Sequence, residues 1–155
     1  MPSLKTAINL VSNILDIDQN IKGKLYLKEL VKNIAKNLDV KCVWIGHQGS
    51  ETLNNIQTDA VWKVDKFTDN FSYNLKNTPC ELVLTDKKIC IHDTRVYLNF
   101  PDSKLFKEMN IHSYVGAPGR LKKDSKSTGI LVFLDHKPIK DREFISTIIE
   151  FLSQR

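Results

Sequence analysis

A cysteine that follows a Thr–Pro pair is the residue of this chain best placed to do chemistry. Asn77 ends the extended segment before it, since Asn tolerates the left-handed conformation. Thr78 suits a helix N-cap, where its hydroxyl accepts a backbone N–H, and Pro79 suits the first helical position. Cys80 then lies where unpaired N–H groups and the helix dipole favour a thiolate or an anionic ligand. A buried thiol that packs as a small apolar side chain is the alternative, and the sequence leaves both interpretations open.

The other thiols and a nearby histidine suggest less. Cys90 comes ten residues after Cys80, and both are expected near a ligand cavity, so thiol redox chemistry is the enzymatic alternative. Cys42 falls on a predicted buried strand, where a thiol is inert. Cys90 and His92 lie two apart on another predicted strand and share a face, but two ligands do not make a metal or bilin site. His92 is predicted to be a surface residue at the end of that strand.

Familiar catalytic motifs are absent from the sequence. No Gly-rich phosphate loop follows a strand, and there is no G-x-S-x-G elbow or H-E-x-x-H helix. The Asp and Glu residues fall mainly in turns and on polar helix faces, where solvation explains them. We therefore predict a protein that is not an enzyme, and we assign it no metal and no known cofactor.

Aromatic residues on or beside predicted strands are expected to line a partly apolar pocket, with hydroxyl and indole groups as handles for a ligand. They are Trp44, Trp62, Tyr73, Phe100 and Tyr114. A plain hydrophobic core is the alternative, and it is favoured for Trp44. The predicted ligand-binding set therefore omits that residue and includes the Thr–Cys pair: Trp62, Tyr73, Thr78, Cys80, Phe100 and Tyr114.

Hydrophobic periodicity places these residues on an alternating series of helices and strands. Helices are predicted over residues 4–15, 24–37 and 79–84, from residue 103, and from residue 141. Leu105, Phe106 and Met109 form the buried face of the fourth of these helices. Strands are predicted over 40–47, 60–66, 88–92, 111–121 and 129–135, with a polar loop over 48–59 and a polar hairpin tip over 122–128. The first strand is apolar on both faces and is expected to be central, whereas Pro118 indicates an edge, a bulge or a bend.

Length and charge exclude several classes of protein. The 155 residues suit one α+β domain, with an N-terminal helix in residues 1–22 and a core over residues 24–155. No apolar run approaches the roughly 20 residues that a membrane span needs. The net charge of +5 comes from scattered Lys and Arg residues without a nucleic-acid-binding motif, so no nucleic acid is expected. Three cysteines and no signal-like segment indicate a reduced, cytoplasmic setting.

Residues 73–83, which read Tyr-Asn-Leu-Lys-Asn-Thr-Pro-Cys-Glu-Leu-Val, also resemble a known signature. The pattern Tyr-x-Leu-x-Gly-Thr-Pro-Cys-Glu-x-Val is typical of GAF sensory domains attached to bacterial histidine kinases and diguanylate cyclases. Shorter blocks continue the resemblance in order, at residues 100–102, 113–118, 129–131 and 134–135. It covers the chain from about residue 25 to residue 155. Asn77 replaces the usual Gly, and Gly119 replaces the usual Leu.

The resemblance implies a central, mainly antiparallel sheet of about six strands with the terminal helices on one face. Residues 67–112 would cover the other face and form a pocket wall. It further implies a non-catalytic sensory module that binds a small molecule beside the sheet and signals through its terminal helices. The alternative is a thiol redox enzyme, similar to methionine sulfoxide reductases of the same fold, that uses Cys80. That family's motif and its further catalytic cysteine are missing, as are the bilin-attachment and cyclic-nucleotide motifs.

The terminal helices carry more apolar surface than one contact stripe requires. In the first helix, Leu4, Ile8, Val11 and Leu15 follow the alternating spacing of a helix-pairing seam. In the last helix, over residues 142–152, Phe144 and Phe151 extend the apolar surface beyond one face. We predict a parallel homodimer through these helices, and a monomer whose terminal helices complete its own core is the alternative. The resemblance adds an output domain or signalling partner as a further contact.

Overall fold

The computed structural model describes residues 3–49, 53–119 and 129–153. An antiparallel sheet of seven described strands runs through the middle, in the order β3-β2-β1-β7-β6-β5, and β4 pairs with β2 beside β3. The strands are β1 (Cys42–Gln48), β2 (Asn55–Lys63), β3 (Lys66–Phe67), β4 (Ser72–Asn74), β5 (Cys90–His92), β6 (Ser113–Gly119) and β7 (Gly129–Asp135). The helices are α1 (Leu4–Ile14), α2 (Lys24–Leu38), α3 (Pro79–Asp86), α4 (Val96–Asn99), α5 (Lys104–Glu108) and α6 (Arg142–Ser153).

Strand β1 is central, as its two apolar faces predict. It pairs with β2 on one side and with β7 on the other, and its first five residues are buried. Val43 and Ile45 face one side of the sheet, whereas Cys42 and Trp44 face the other. A strand that reads apolar on both faces therefore marks a sheet covered on both sides.

One face of the sheet, called here the helix face, is covered by three of the described helices: α2 and the terminal pair, α1 and α6. Helix α2 packs on β1 and β2, α6 packs on β6, and α1 lies across α2 and α6. The fully buried side chains here are aliphatic: Ile14, Val31, Ile34, Val43, Val115 and Ile149. The predicted placement of the terminal helices on one face is confirmed, although α2 makes much of the contact with the sheet.

The opposite face, called here the cavity face, is covered by short elements between β4 and β6. Helices α3 and α5 supply the side chains that pack on the sheet, and Ile111 completes them. The buried set mixes aliphatic, aromatic and sulfur-bearing residues: Trp44, Ile56, Leu75, Cys80, Val83, Phe106, Tyr114, Ile130 and Leu134. Residues 67–112 thus cover this face, as the resemblance implies.

Strand β2 begins five residues earlier than predicted, because the stretch taken for a polar loop alternates. Ile56 and Thr58 are buried while Gln57 is exposed, which suits a strand with one solvated face. A bulge interrupts the pairing, since Ile45 opposes Ala60 and Gly46 opposes Thr58. The strand ends at Lys63, where two residues with positive φ turn the chain into β3. Strands β3 and β4 and the short helix α4 were not predicted from the sequence.

Pro118 lies on a stretch of β6 that is paired on one side. Its partner in β7 is Ile130, whereas β5 pairs with β6 only as far as Gly116. A residue without an N–H fits there because that side of the ladder has ended. The predicted polar hairpin tip, residues 122–128, lies outside the described residues.

None of the described helices is both long enough and apolar enough to span a membrane.

Candidate ligand-binding site

A cavity of about 470 Å³ opens on the cavity face, between the sheet and the helices α3 and α5. Buried or half-buried side chains line its inner part: Trp44, Phe71, Tyr73, Thr78, Pro79, Cys80, Leu105, Phe106 and Tyr114. Exposed polar side chains surround its mouth: Asn74, Lys76, Asn77, Asp102, Lys104 and Glu108. The interior is therefore largely aromatic, and the charged groups stay where water reaches them.

The turn before α3 aims Cys80 into this cavity. Asn77 has a φ of 64°, Thr78 is extended, and Pro79 begins the helix, as the sequence predicts. The predicted side-chain cap is wrong, because the Thr78 hydroxyl makes no bond to an N–H of α3. It donates instead to the Leu75 carbonyl at 2.7 Å, and the Thr78 N–H donates to the same oxygen at 3.1 Å. The hydroxyl thus closes the preceding turn.

The hydroxyl and indole groups expected as handles for a ligand contact one another and the thiol. Cys80 Sγ lies 3.2 Å from Tyr73 Oη and 3.0 Å from Tyr114 Oη. Trp44 Nε1–H donates to Tyr73 Oη at 3.2 Å. Four side chains from β1, β4, α3 and β6 are thereby joined at the inner wall of the cavity, and this set is called here the Cys80 network. Its polar groups are satisfied without a ligand.

Burial keeps the Cys80 network uncharged. It raises the pKa of the Cys80 thiol to about 11, although the nearby hydroxyls of Tyr114, Tyr73 and Thr78 act in the opposite direction. Burial likewise raises the pKa of Tyr73 and of Tyr114 well above the usual value of a tyrosine. The loss of solvation thus outweighs the effect of the helix N-terminus, which favours a thiolate, and Cys80 is a neutral thiol near pH 7. Of the two sequence interpretations, the structure favours the buried thiol.

Gly116 makes room for the tyrosine of this network. Tyr114 and Gly116 share a face of β6, and the Tyr114 ring lies over the glycine. A Cβ at position 116 would lie 2.3 Å from Tyr114 Oη, well inside contact distance. The absence of a side chain therefore lets the hydroxyl reach Cys80. The Tyr-x-Gly spacing was visible in the sequence but was not interpreted.

Two of the six predicted ligand-binding residues lie away from the cavity lining. Phe100 packs behind α5, with its ring 5.5 Å from that of His92 and 6.4 Å from that of Phe106. Trp62 lies on the helix face, where its ring contacts Phe67 and the Lys36 ammonium. Tyr73, Thr78, Cys80 and Tyr114 line the cavity, as do several residues that the predicted set omitted: Trp44, Phe71, Pro79, Leu105 and Phe106.

His92 ends β5, as predicted, but it is half-buried rather than a surface residue. Its ring packs against those of Phe100 and Tyr114, and Nε2 is buried without a hydrogen-bond partner. Burial, with the charge of Arg142, lowers the pKa of His92. Cys90 and His92 do share the cavity face, as predicted, but the described residues contain no group of three or more His, Cys, Asp or Glu side chains that could hold a metal ion.

Cys42 is the remaining thiol. It is buried on the cavity face of β1, and burial raises its pKa to about 12. A thiol with so high a pKa is almost wholly protonated near pH 7 and reacts slowly, in line with the inert role predicted for it.

Comparison with known proteins places the fold. No sequence-family model matches this chain, and no curated protein matches it. Solved structures match it over most of its length. The nlh2 GAF domain of A. aeolicus, in an inactive state, has a TM-score of 0.67 at 16% identity, covering 96% of this chain and 89% of that one. The phycocyanobilin-bound GAF domain of a cyanobacterial phytochrome has a TM-score of 0.68 at 14% identity, covering 99% and 92%.

An enzyme has the same architecture. Free methionine-R-sulfoxide reductase from Neisseria meningitidis, in complex with its substrate, has a TM-score of 0.66 at 10% identity, covering 96% of this chain and 81% of that one. Together these likenesses show that the chain has the GAF fold. The fold hosts binding and catalysis alike, so function has to be argued from the site.

Proposed function

With the GAF fold as premise, we propose that this chain is a non-catalytic sensory or regulatory module that binds a small molecule in the cavity beside its sheet. One observation carries the proposal: an aromatic cavity of about 470 Å³ lies between the sheet and α3 and α5, with its charged side chains at the mouth. That volume is within the range of small-molecule sites. The bilin-bound phytochrome domain supports the proposal, because the same fold holds a small ligand there. We place the protein in the cytoplasm.

The state of Cys80 favours binding over thiol chemistry. A nucleophilic cysteine needs a thiolate and access, whereas this thiol is 2% exposed, neutral and held by two tyrosine hydroxyls. The reductase from Neisseria meningitidis keeps the enzymatic alternative open. Turnover of methionine sulfoxide by the wild-type protein, abolished in Cys80→Ser, would establish that alternative. We expect no turnover in either protein.

Signalling is proposed to pass through β6 to the terminal helices. Tyr114 faces the cavity, and the next residue, Val115, faces the side on which α6 packs against β6. A displacement of Tyr114 by a ligand would therefore shift the strand on which α6 rests. We propose that residues 1–155 act as one domain whose terminal helices pass this shift to a second copy or to an output domain.

Exposed apolar side chains support a helical dimer contact. On α1, Leu4 and Ile8 are 62% and 48% exposed, and Phe151 on α6 is 40% exposed. Ile148 on α6 is fully buried within the chain, so its side chain is not available for a contact with a second copy. The test is the mass in solution by light scattering, for wild type, for Ile8→Glu and for the control Leu25→Glu, which changes an exposed leucine at the start of α2. We expect a dimer that only Ile8→Glu dissociates; a wild-type monomer would remove this part of the proposal.

Ligand binding itself is tested by native mass spectrometry of the purified protein, with a variant that fills the cavity. Leu105→Trp places an indole in the lining, and Leu98→Trp adds the same group at a position 62% exposed and outside the lining. We expect a small molecule retained by the wild type and by Leu98→Trp, but not by Leu105→Trp. Equal retention by both variants would locate the ligand elsewhere.

A further inference from the structure

The polar atoms at the inner wall of the cavity already have partners. Trp44 Nε1–H donates to Tyr73 Oη, both tyrosine hydroxyls contact Cys80 Sγ, and the Thr78 hydroxyl donates to Leu75. Among the described residues, the buried side-chain polar atom without a partner is His92 Nε2, which does not line the cavity. Two contacts join the O–H and S–H groups of Tyr73, Cys80 and Tyr114, so one of their three protons remains for a ligand. Every further hydrogen bond donated to a ligand would break an existing one, which removes most of its gain. This wall suits an apolar group.

The inner wall also offers no charge. The tyrosines and the cysteine are neutral because burial opposes their ionisation. The charged side chains that border the cavity are Lys76, Asp102, Lys104 and Glu108, and all four are exposed at the mouth. An ion that left water for the interior would find no opposite charge to repay its lost hydration.

Three of the aromatic rings in the lining pack against one another and do not form a cage for a cation. The Trp44 ring centroid lies 5.5 Å from that of Phe71 and 5.7 Å from that of Tyr73, and those two are 5.9 Å apart. At these separations the rings contact each other edge to face or tilted, rather than enclosing the open space that holds an ammonium group.

We infer that the cavity takes an amphipathic small molecule whose apolar body enters first and whose polar or charged end stays at the mouth. This inference rests on the proposed function, that the cavity binds a small molecule at all. At the mouth, Lys76 and Lys104 accompany Asp102 and Glu108, so an end of either sign finds an exposed partner. The site should discriminate against ligands that carry a second charge at the inner end of the apolar body.

Three probes with one shared body test this. Hydrocinnamate carries a single carboxylate on a short arm. Its para-nitro derivative adds a neutral group of nearly the same shape as a carboxylate, and its para-carboxy derivative adds a second carboxylate. We expect the nitro probe to bind about as tightly as hydrocinnamate and the dicarboxylate to bind at least about 100-fold more weakly, since its inner charge would be buried unpaired.

The readout is the indole N–H signal of Trp44 in proton–nitrogen NMR spectra, titrated with each probe. Trp62 lies on the helix face and provides an internal control, because its indole signal should not move. In Lys104→Glu we expect hydrocinnamate to bind several-fold more weakly and hydrocinnamyl alcohol to bind as before, because only the charged end meets position 104 at the mouth.

The outcomes separate the inference from the function it rests on. Equal affinity for the nitro probe and the dicarboxylate would overturn the ligand class while leaving the cavity a binding site. Failure of all three probes to move the Trp44 signal would also overturn the ligand class. If, in addition, native mass spectrometry found no retained molecule in the wild type, the proposed function would fail with it.

Discussion

The two faces of the sheet differ in the side chains that cover them and in how closely those side chains pack. On the helix face, aliphatic side chains such as Ile34 and Ile149 are fully buried between the sheet and long helices. On the cavity face, short helices hold aromatic and sulfur-bearing side chains around an opening of about 470 Å³. Close packing stabilises the first face, whereas the second gives up some packing for a cavity and holds its shape with a hydrogen-bond network. The difference teaches that close packing lies on one face of the sheet and the cavity proposed to bind a ligand lies on the other.

The largest expected effect tests this division directly. Ile149→Ala removes a fully buried side chain from the helix face and should lower the free energy of unfolding by about 2 to 5 kcal/mol. Leu105→Ala, its counterpart in the cavity lining, should cost only about 1 kcal/mol because that side chain already borders open space. Urea unfolding measures both. Equal losses would show that the two faces carry stability alike.

A second comparison concerns two glycines of β6. Gly116→Ala should lower the free energy of unfolding by about 1 to 3 kcal/mol, because the new methyl group would push Tyr114 off the glycine and away from Cys80. In Gly119→Ala the new Cβ would lie in open space, so the free energy of unfolding should change by less than about 0.5 kcal/mol. Urea unfolding again measures both changes. A neutral Gly116→Ala would mean that the position of Tyr114 on this face is not set by the glycine.

The two tyrosine hydroxyls of the Cys80 network make different hydrogen bonds, so removing each one should have a different effect. Tyr73→Phe removes the acceptor of the Trp44 indole N–H and should cost about 1 kcal/mol of unfolding free energy. It should also shift the Trp44 indole signal in NMR spectra. Tyr114→Phe is the matched control, since it removes a bond to Cys80 but none to Trp44. A signal that moves equally in both variants would contradict the network as described.

The smallest effect is a dependence on pH that arises at His92. Its pKa is lowered in the folded protein by burial, with the charge of Arg142 adding to the effect. The unfolded chain therefore takes up the proton first, and stability falls as pH drops below about 6.5 toward the folded pKa. His92→Gln should flatten this part of the profile relative to the wild type, in unfolding measured at a series of pH values. An unchanged slope would show that the ring does not resist protonation.

Much of the architecture could be predicted because it depends on local patterns. The apolar period of α2, the two apolar faces of β1 and the Asn-Thr-Pro start of α3 each appear in the structure within a few residues of the predicted place. These features follow from side-chain spacing and backbone preference, which neighbouring residues determine. Strand β2 was placed too late because polar residues on its solvated face hid its alternation.

Among the candidate site residues, the position of those on the Thr-Pro-Cys segment follows from local sequence. Thr78 and Cys80 line the cavity because a local turn and a helix start place them. Trp62 was predicted beside them and lies on the opposite face. Its side depends on the register of β2 against β1, where Trp62 opposes Val43 and Val61 opposes Trp44. A shift of one residue exchanges the faces, and the bulge at Gly46 is not visible in the sequence.

By itself, then, the sequence determined the long helices and the central strands, which of their residues are apolar, and that a cysteine lies on the first turn of α3. The tertiary structure alone decided what that cysteine meets. Tyr73 and Tyr114 reach Cys80 on the same face of the sheet but from strands near its opposite edges, β4 and β6, and their contacts span 7 and 34 residues. Burial, rather than the helix start, sets the charge of the thiol, because desolvation depends on every element packed around it. A local pattern carries no information about such distant neighbours, so it could place Cys80 but not its chemistry.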